Sequence, residues 1–178
     1  MRSDWVKPKL MDAVLLALTP QNRLVMRVCL ATGLRVGDVV TLRAADVDRQ
    51  RFTIKEQKTG KSRRVRLPRD LWLQLQRNRG AEWVFEGRND RHKHRTRQAV
   101  WKDVKRAARA FRLTMNCTPH SARKVFAVDV YSRTWDLDDV RRQLNHDDFS
   151  TTLVYVMAAS REAGALPAWA SGGLRGSD

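Results

Sequence analysis

Two short runs of partly alternating residues, Arg51-Phe-Thr-Ile-Lys55 and Ser62-Arg-Arg-Val-Arg-Leu67, flank Lys58-Thr-Gly-Lys61. The glycine suits a tight turn, so the stretch predicts a β-hairpin with a basic tip. Pro68 ends it, because proline cannot donate to a strand ladder. Elsewhere the apolar residues recur mostly at helical spacing. Leu10, Met11, Val14, Leu15 and Leu18 mark a helix from Pro8 to Leu18. Thr19-Pro20 opens a second, as cap and first-turn proline, and Gly33 closes it. A third begins within Leu34–Arg43, which puts Arg35 at a junction between helices. The fold class expected is mainly α with one small antiparallel β-hairpin, an α+β domain.

The second half continues the pattern. Arg69–Arg77 reads as a helix, and Trp83-Val84-Phe85 as a short apolar piece. Glu86–Arg97 is a charged loop. Val100, Trp101, Val104, Ala107, Ala108 and Phe111 then form an apolar stripe opposite Lys102, Lys105, Arg106, Arg109 and Arg112. Thr118-Pro119-His120 caps the next helix, and Asp136–Leu144 is another with acids at its start. Phe149-Ser-Thr-Thr152 is a further capping signal, and Leu153, Val154, Val156 and Met157 surround Tyr155 with apolar groups. Taken alone, Tyr155 is a half-buried core tyrosine. A capped turn brings it and His146 to one cleft. Residues 158–178 are rich in Ala, Gly and Ser, a tail expected to be disordered or to dock on another protomer through Leu166, Trp169 and Leu174.

Charge narrows the function. Thirty-five Lys and Arg against nineteen Asp and Glu leave the chain at +16, the balance of a protein with a polyanionic partner. The cations are clustered: residues 51–69 hold eight basic residues and one acid, and 86–112 hold ten and three. Lys55, Lys61, Arg63, Arg64, Arg91, Lys93, Arg95, Lys105 and Lys124 are the candidate DNA contacts. No apolar run is long enough to span a membrane. Cys29 and Cys117 lack metal-ligand spacing and read as buried thiols in a reducing compartment. His92 and His94 sit among cations that repel a metal ion, so their loop is expected to contact phosphate, and no metal site is assigned.

Arg35, Lys58, His120, Arg123, His146 and Tyr155 remain as the chemically capable set. Two guanidiniums can each grip a phosphate with two N–H groups and stabilise charge on a pentacoordinate phosphorus. A phenol in that field loses its proton more easily and can attack. A lysine on a hairpin tip can protonate a leaving oxygen. The guanidiniums supply the positive charge, so the set needs no metal or other cofactor.

Read together, these motifs resemble the tyrosine recombinases of the phage integrase family, over roughly residues 8–157. Ala31-Thr-Gly-Leu-Arg35-Val-Gly-Asp38 looks like the family's first arginine motif, with an acid three residues on. Lys58 resembles the hairpin lysine, with Lys61 as runner-up. His120-Ser-Ala-Arg123 is similar to the His-x-x-Arg box. Leu144-Asn-His146 looks like Leu-Gly-His, and Tyr155 falls at the nucleophile's spacing from it. The resemblance implies the tyrosine recombinase catalytic-domain fold and a metal-independent enzyme of site-specific DNA recombination or integration. Tyr155 would form a 3′-phosphotyrosyl link, Arg35 and Arg123 would clamp the phosphate, and Lys58 would be the general acid. His120 would assist proton transfer, His146 would hydrogen-bond the phosphate, and Asp38 would orient the site.

Partners implied by the family are double-stranded DNA with a specific site and a homotetramer on that DNA, in the cytoplasm of a bacterium or phage host and with no membrane. A tyrosine-type topoisomerase and a non-catalytic DNA-binding regulator are the alternatives. The sequence departs from the pattern at Ala122, often leucine, at Lys124, often histidine, and at Asn145, usually glycine. Asn tolerates left-handed backbone, so the last change is mild. The expected division is a catalytic domain over 1–157 and a tail over 158–178, with no N-terminal core-binding domain.

Overall fold

The computed structural model describes residues 3–145. The chain divides into two units, residues 1–126 and 127–178. Its elements run α1 (Pro8–Leu16), α2 (Pro20–Thr32), α3 (Val36–Val40), β1 (Arg51–Lys55), β2 (Ser62–Arg66), α4 (Arg69–Asn78), α5 (Arg97–Ala110), α6 (Pro119–Thr134) and α7 (Leu137–Leu144). A single 3-10 turn, Ala45–Val47, precedes the hairpin. Over the described residues this is the mainly α fold with one antiparallel hairpin that the hydrophobic spacing predicts.

In the first unit one core joins α1 to α5 and the hairpin, through residues such as Met11, Val14, Val25, Val28, Leu34, Val65, Leu75, Phe85, Val100 and Val104. The hairpin pairs Phe52 with Val65 and Ile54 with Arg63. Phe52, Ile54 and Val65 are buried, while Arg51, Thr53, Lys55, Arg64 and Arg66 are exposed. Gly60 takes φ 67, the left-handed backbone that favours glycine, and its N–H donates to the Glu56 carbonyl at 2.8 Å. Trp83-Val84-Phe85 lies beside the segment after α3: Val84 N–H donates to the Leu42 carbonyl at 2.9 Å, and Trp83 bridges Arg43.

The helix ends mostly follow the sequence. Pro8 and Pro20 open α1 and α2, and Gly33 closes α2 at φ 66, its N–H on the Cys29 carbonyl. Thr118 caps α6 reciprocally. Its hydroxyl accepts from His120 N at 3.2 Å, and Ser121 Oγ accepts from Thr118 N at 3.1 Å. In the second unit Asp136 caps α7 by accepting from Asp138 N at 2.8 Å. Asn145 ends α7 at φ 52, so asparagine does take the left-handed conformation there.

Thr19 behaves differently from its expected role. It makes no side-chain cap on α2. Its N–H and hydroxyl both donate to Asp103 Oδ2 of α5 at 2.9 Å, and Asn22 Nδ2 donates to the same oxygen at 2.7 Å. Arg106 completes the cluster on Oδ1 at 2.6 Å. The start of α2 is thus pinned to α5 by one carboxylate. A capping motif read from sequence identifies the acceptor-rich helix start but not a competing acceptor many residues away.

Burial pushes the Asp103 carboxyl up, but the donors from Asn22, Thr19 and Arg106 outweigh it and hold it at about 2. A carboxyl held low stabilises the fold fully above the ordinary aspartate pKa, about 4, and loses that contribution as pH falls towards its folded value. Asp103→Asn is therefore expected to cost about 1.5–3 kcal/mol at neutral pH. Urea unfolding across pH should show this difference shrinking below about pH 4; a gap that persists undiminished to the acid limit would contradict the assignment. Both thiols are free and buried. Burial and the nearby Asp38 charge raise Cys29 to about 12, and burial raises Cys117 to about 11. Neither should react with an alkylating reagent in the native protein at about pH 8, where unshielded thiols do. Rapid native-state labelling of either would contradict that burial.

Candidate active site

Four of the predicted residues line one cavity of about 370 Å³ in the first unit: Arg35, Lys58, His120 and Arg123. Asp38, Gln57 and Arg97 line it with them. They come from three stretches of the chain. Arg35 is the N-cap residue of α3, held extended at φ −71 and ψ 145 between two helices. Lys58 stands exposed in the hairpin turn, and His120 is exposed in the first turn of α6. Arg123, one turn further along α6, is buried.

Arg123 donates to the carbonyl of Gly33, the residue that ends α2. The left-handed turn at Gly33 thus stops one helix, supplies an acceptor to the second arginine and leads the backbone to the first. Burial, with repulsion from Arg35 and Arg63, lowers the Arg123 guanidinium to about 10. It stays charged at neutral pH. Asp38, in the first turn of α3, accepts from the Gln57 backbone N–H at 2.9 Å, which anchors the turn next to Lys58. Its Oδ2 is buried with no hydrogen-bond partner among the described residues.

Two residues absent from the sequence-based list of the catalytic set organise this site. Glu56, with no exposed surface, takes Arg35 Nη1 on Oε2 at 2.6 Å. Arg63 also turns inward: its guanidinium donates to the Thr32 carbonyl and lies 3.8 Å from Glu56 Oε1. Burial depresses the Arg63 pKa, and Glu56 opposes that. Strand alternation explains both. Phe52, Ile54 and Glu56 step by two along the inner face, and Arg63 shares the inner register with Val65. A basic run hides this, because its composition suggests a solvated surface.

The other expected DNA contacts separate by burial. Lys55, Lys61, Arg64, Arg91 and Lys93 are exposed. Arg95 is half-buried and donates to Asn22 Oδ1; Lys105 is half-buried and donates to Asn116 Oδ1 at 2.9 Å. Arg63 and Lys124 differ from the expectation of surface contacts. Lys124 is buried and its ammonium donates to the Ser3 carbonyl. On the hairpin's outer face Arg51 stands directly opposite Arg66, a like-charge pair that costs stability unless an anion lies against it. His146, Tyr155 and the expected 158–178 tail lie outside the described residues. Among the described residues there is no group of three or more His, Cys, Asp or Glu able to hold a metal ion, and no helix long and apolar enough to cross a membrane.

The chain is 32% identical over 152 residues to a putative integrase/recombinase, y4qK, of Sinorhizobium fredii, covering 80% of this chain and 48% of that one. It is 29% identical over 153 residues to the tyrosine recombinase XerD of Pseudomonas putida, covering 80% and 51%. The chain spans about half the length of these curated relatives. Among solved structures, the fold is similar to a lambda integrase dimer bound to a COC′ core site (TM-score 0.77, 17% identity, 94% of this chain and 52% of that one). It is also similar to the catalytic domain of bacteriophage HP1 integrase (TM-score 0.67, 20% identity, 96% and 93%). The phage integrase family profile matches residues 5–162, and the chain belongs to that family.

Proposed function

We propose that this chain is the catalytic part of a site-specific DNA recombinase, cleaving and rejoining DNA through a 3′-phosphotyrosyl intermediate. The observation that carries the reading is the convergence of Arg35, Lys58, His120 and Arg123 on one cavity from three separate stretches of the chain. Binding alone gives no reason to bury a guanidinium and surround it with an imidazole and a hairpin lysine.

In this reading the scissile phosphate enters the cavity and is gripped by Arg35 and Arg123. Their charges stabilise the pentacoordinate phosphorus more than the ground-state diester. The phenolic oxygen of Tyr155 attacks phosphorus as its proton leaves with help from His120, forming the phosphotyrosyl ester. The bond to the 5′ oxygen breaks, and Lys58 protonates that oxygen as it departs. His146 hydrogen-bonds a non-bridging oxygen. Asp38 holds the Gln57 backbone, and so keeps Lys58 over the cavity. The ester conserves the energy of the broken bond, so a 5′-hydroxyl from a second duplex can reverse the step without ATP. The positive charge comes from the protein, and no cofactor is needed.

The partner is double-stranded DNA. Lys55 and Arg64 on the hairpin's outer face, with Lys61 at its tip and Arg91 and Lys93 on the loop before α5, suit its phosphate backbone. One solved relative is a lambda integrase tetramer bound to a Holliday junction. A homotetramer is likewise the assembly proposed for this chain on paired sites, with residues 158–178 exchanged between protomers. Such an enzyme works in the compartment that holds the DNA, here the cytoplasm.

A nicked duplex whose 5′ fragment diffuses away traps the covalent state. Incubation should yield a protein–DNA adduct on a denaturing gel, absent in Tyr155→Phe and reduced about a hundredfold or more in Arg123→Ala. Relaxation of any supercoiled DNA without a site requirement would favour the topoisomerase reading, and binding with no adduct the regulator. The two neighbouring hairpin arginines give a second test. Arg64→Gln should reduce the slope of log K against log salt by about 0.9, the value of one lost phosphate contact. Arg63→Gln should leave the slope unchanged but lower the melting temperature, since it strips a buried carboxylate of a counter-charge. The reverse pattern would contradict the hairpin's assigned faces.

A further inference from the structure

We propose that Glu56 is a positioning residue that fixes the spacing between the phosphate-gripping Arg35 and the hairpin carrying Lys58; this rests on the recombinase reading for the roles of those two groups. Glu56 occupies the third inward step after Phe52 and Ile54, where an apolar side chain would fill the core at no electrostatic cost. A carboxylate there is retained only against a matching set of donors. Arg35 Nη1 lies at 2.6 Å from Oε2, and Thr59 Oγ1 donates to the same oxygen at 3.2 Å. Arg63 lies 3.8 Å from the other oxygen, an ion pair without a hydrogen bond.

The backbone of the same residue closes the turn. Glu56 N–H donates to the Lys61 carbonyl at 3.0 Å, and the Glu56 carbonyl accepts from Gly60 N–H at 2.8 Å. Lys58 is displayed from inside that closed loop. One residue therefore holds the first arginine by its side chain and the general acid's turn by its main chain. Arg35 commits one of its N–H donors to Glu56 and remains partly exposed, with 18% of its side chain accessible. Donors are left over for a phosphate.

Charge separates this role from simple packing. Arg35, Arg63 and Arg123 repel one another, and Glu56 and Asp38 are the buried counter-charges. Removing the Glu56 charge makes the cavity more positive, so DNA binding should hold or tighten. Cleavage should nevertheless slow, because Arg35 and Lys58 lose their common reference. A purely structural residue would not produce that opposition.

The test measures duplex affinity and the rate of adduct formation at saturating nicked DNA. Glu56→Gln is expected to leave the dissociation constant unchanged or lower. The rate should fall about ten- to a hundredfold, the cost of misplacing a reacting group by about an ångström. In an Arg35→Ala background the same change should alter the residual rate less than about twofold, because the two substitutions remove one interaction. Equal losses in both backgrounds, or a loss confined to affinity, would overturn the proposal. Should Glu56→Gln fail to fold, Glu56→Met with Arg63→Met replaces the buried pair by apolar groups, an exchange that cores often accept; an intact melt with a full wild-type rate would also overturn it. A wild-type protein that forms no adduct would sink the recombinase reading instead. The pairing is then read from the Arg35 Nε–H resonance by NMR, which Glu56→Gln must shift for the proposal to survive.

Discussion

The candidate site depends on keeping guanidinium groups charged where water is scarce. Arg123 is almost fully buried, Arg63 largely so, and Arg35 shares their field. Such a cluster is unstable alone, and the fold compensates in two ways. It buries two carboxylates, Glu56 and Asp38, among the cations, and it aims main-chain carbonyls of Thr32 and Gly33 at Arg63 and Arg123. The left-handed turn after α2 and the first turn of α3 are both consequences of that arrangement. So is the hairpin's approach to α3, which Asp38 secures at the Gln57 N–H and Glu56 secures at Arg35.

This arrangement gives the polar groups a fixed geometry before any substrate arrives. Preorganised charge costs no reorganisation when the phosphorus becomes pentacoordinate, which is where such sites gain most of their rate. The exposed members, Lys58 and His120, are those proposed to move protons, and they stand on a turn and at a helix start. The buried member, Arg123, is the one proposed to grip the phosphate. This division follows from chemistry: a proton donor must reach a leaving group, whereas a clamp must not shift.

Much of this was legible in the sequence, and the failures share a cause. The hairpin, the helix starts at Pro8, Pro20 and Pro119, and the left-handed Asn145 follow from local rules, because one or two residues decide each of them. Arg35, Lys58, His120 and Arg123 stand in short motifs that resemble those of the family, and they meet at one cavity. Thr19, Arg63 and Lys124 were read as a cap and as surface cations. Each instead bonds a partner distant in sequence, namely Asp103, Thr32 and Ser3. Local pattern carries no information about such partners. Glu56 was hidden for a related reason: a single acid within a basic run suggests solvent, and only counting by two from Ile54 places it inside.

The central claim is that a phosphate held by Arg35 and Arg123 is attacked by the phenol of Tyr155. Tandem mass spectrometry of the nuclease-trimmed protein–DNA adduct tests it most directly, because the chain contains only two tyrosines. The account predicts a nucleotide linked to the peptide carrying Tyr155. A nucleotide on Tyr131 instead, or on a serine or lysine, would contradict it.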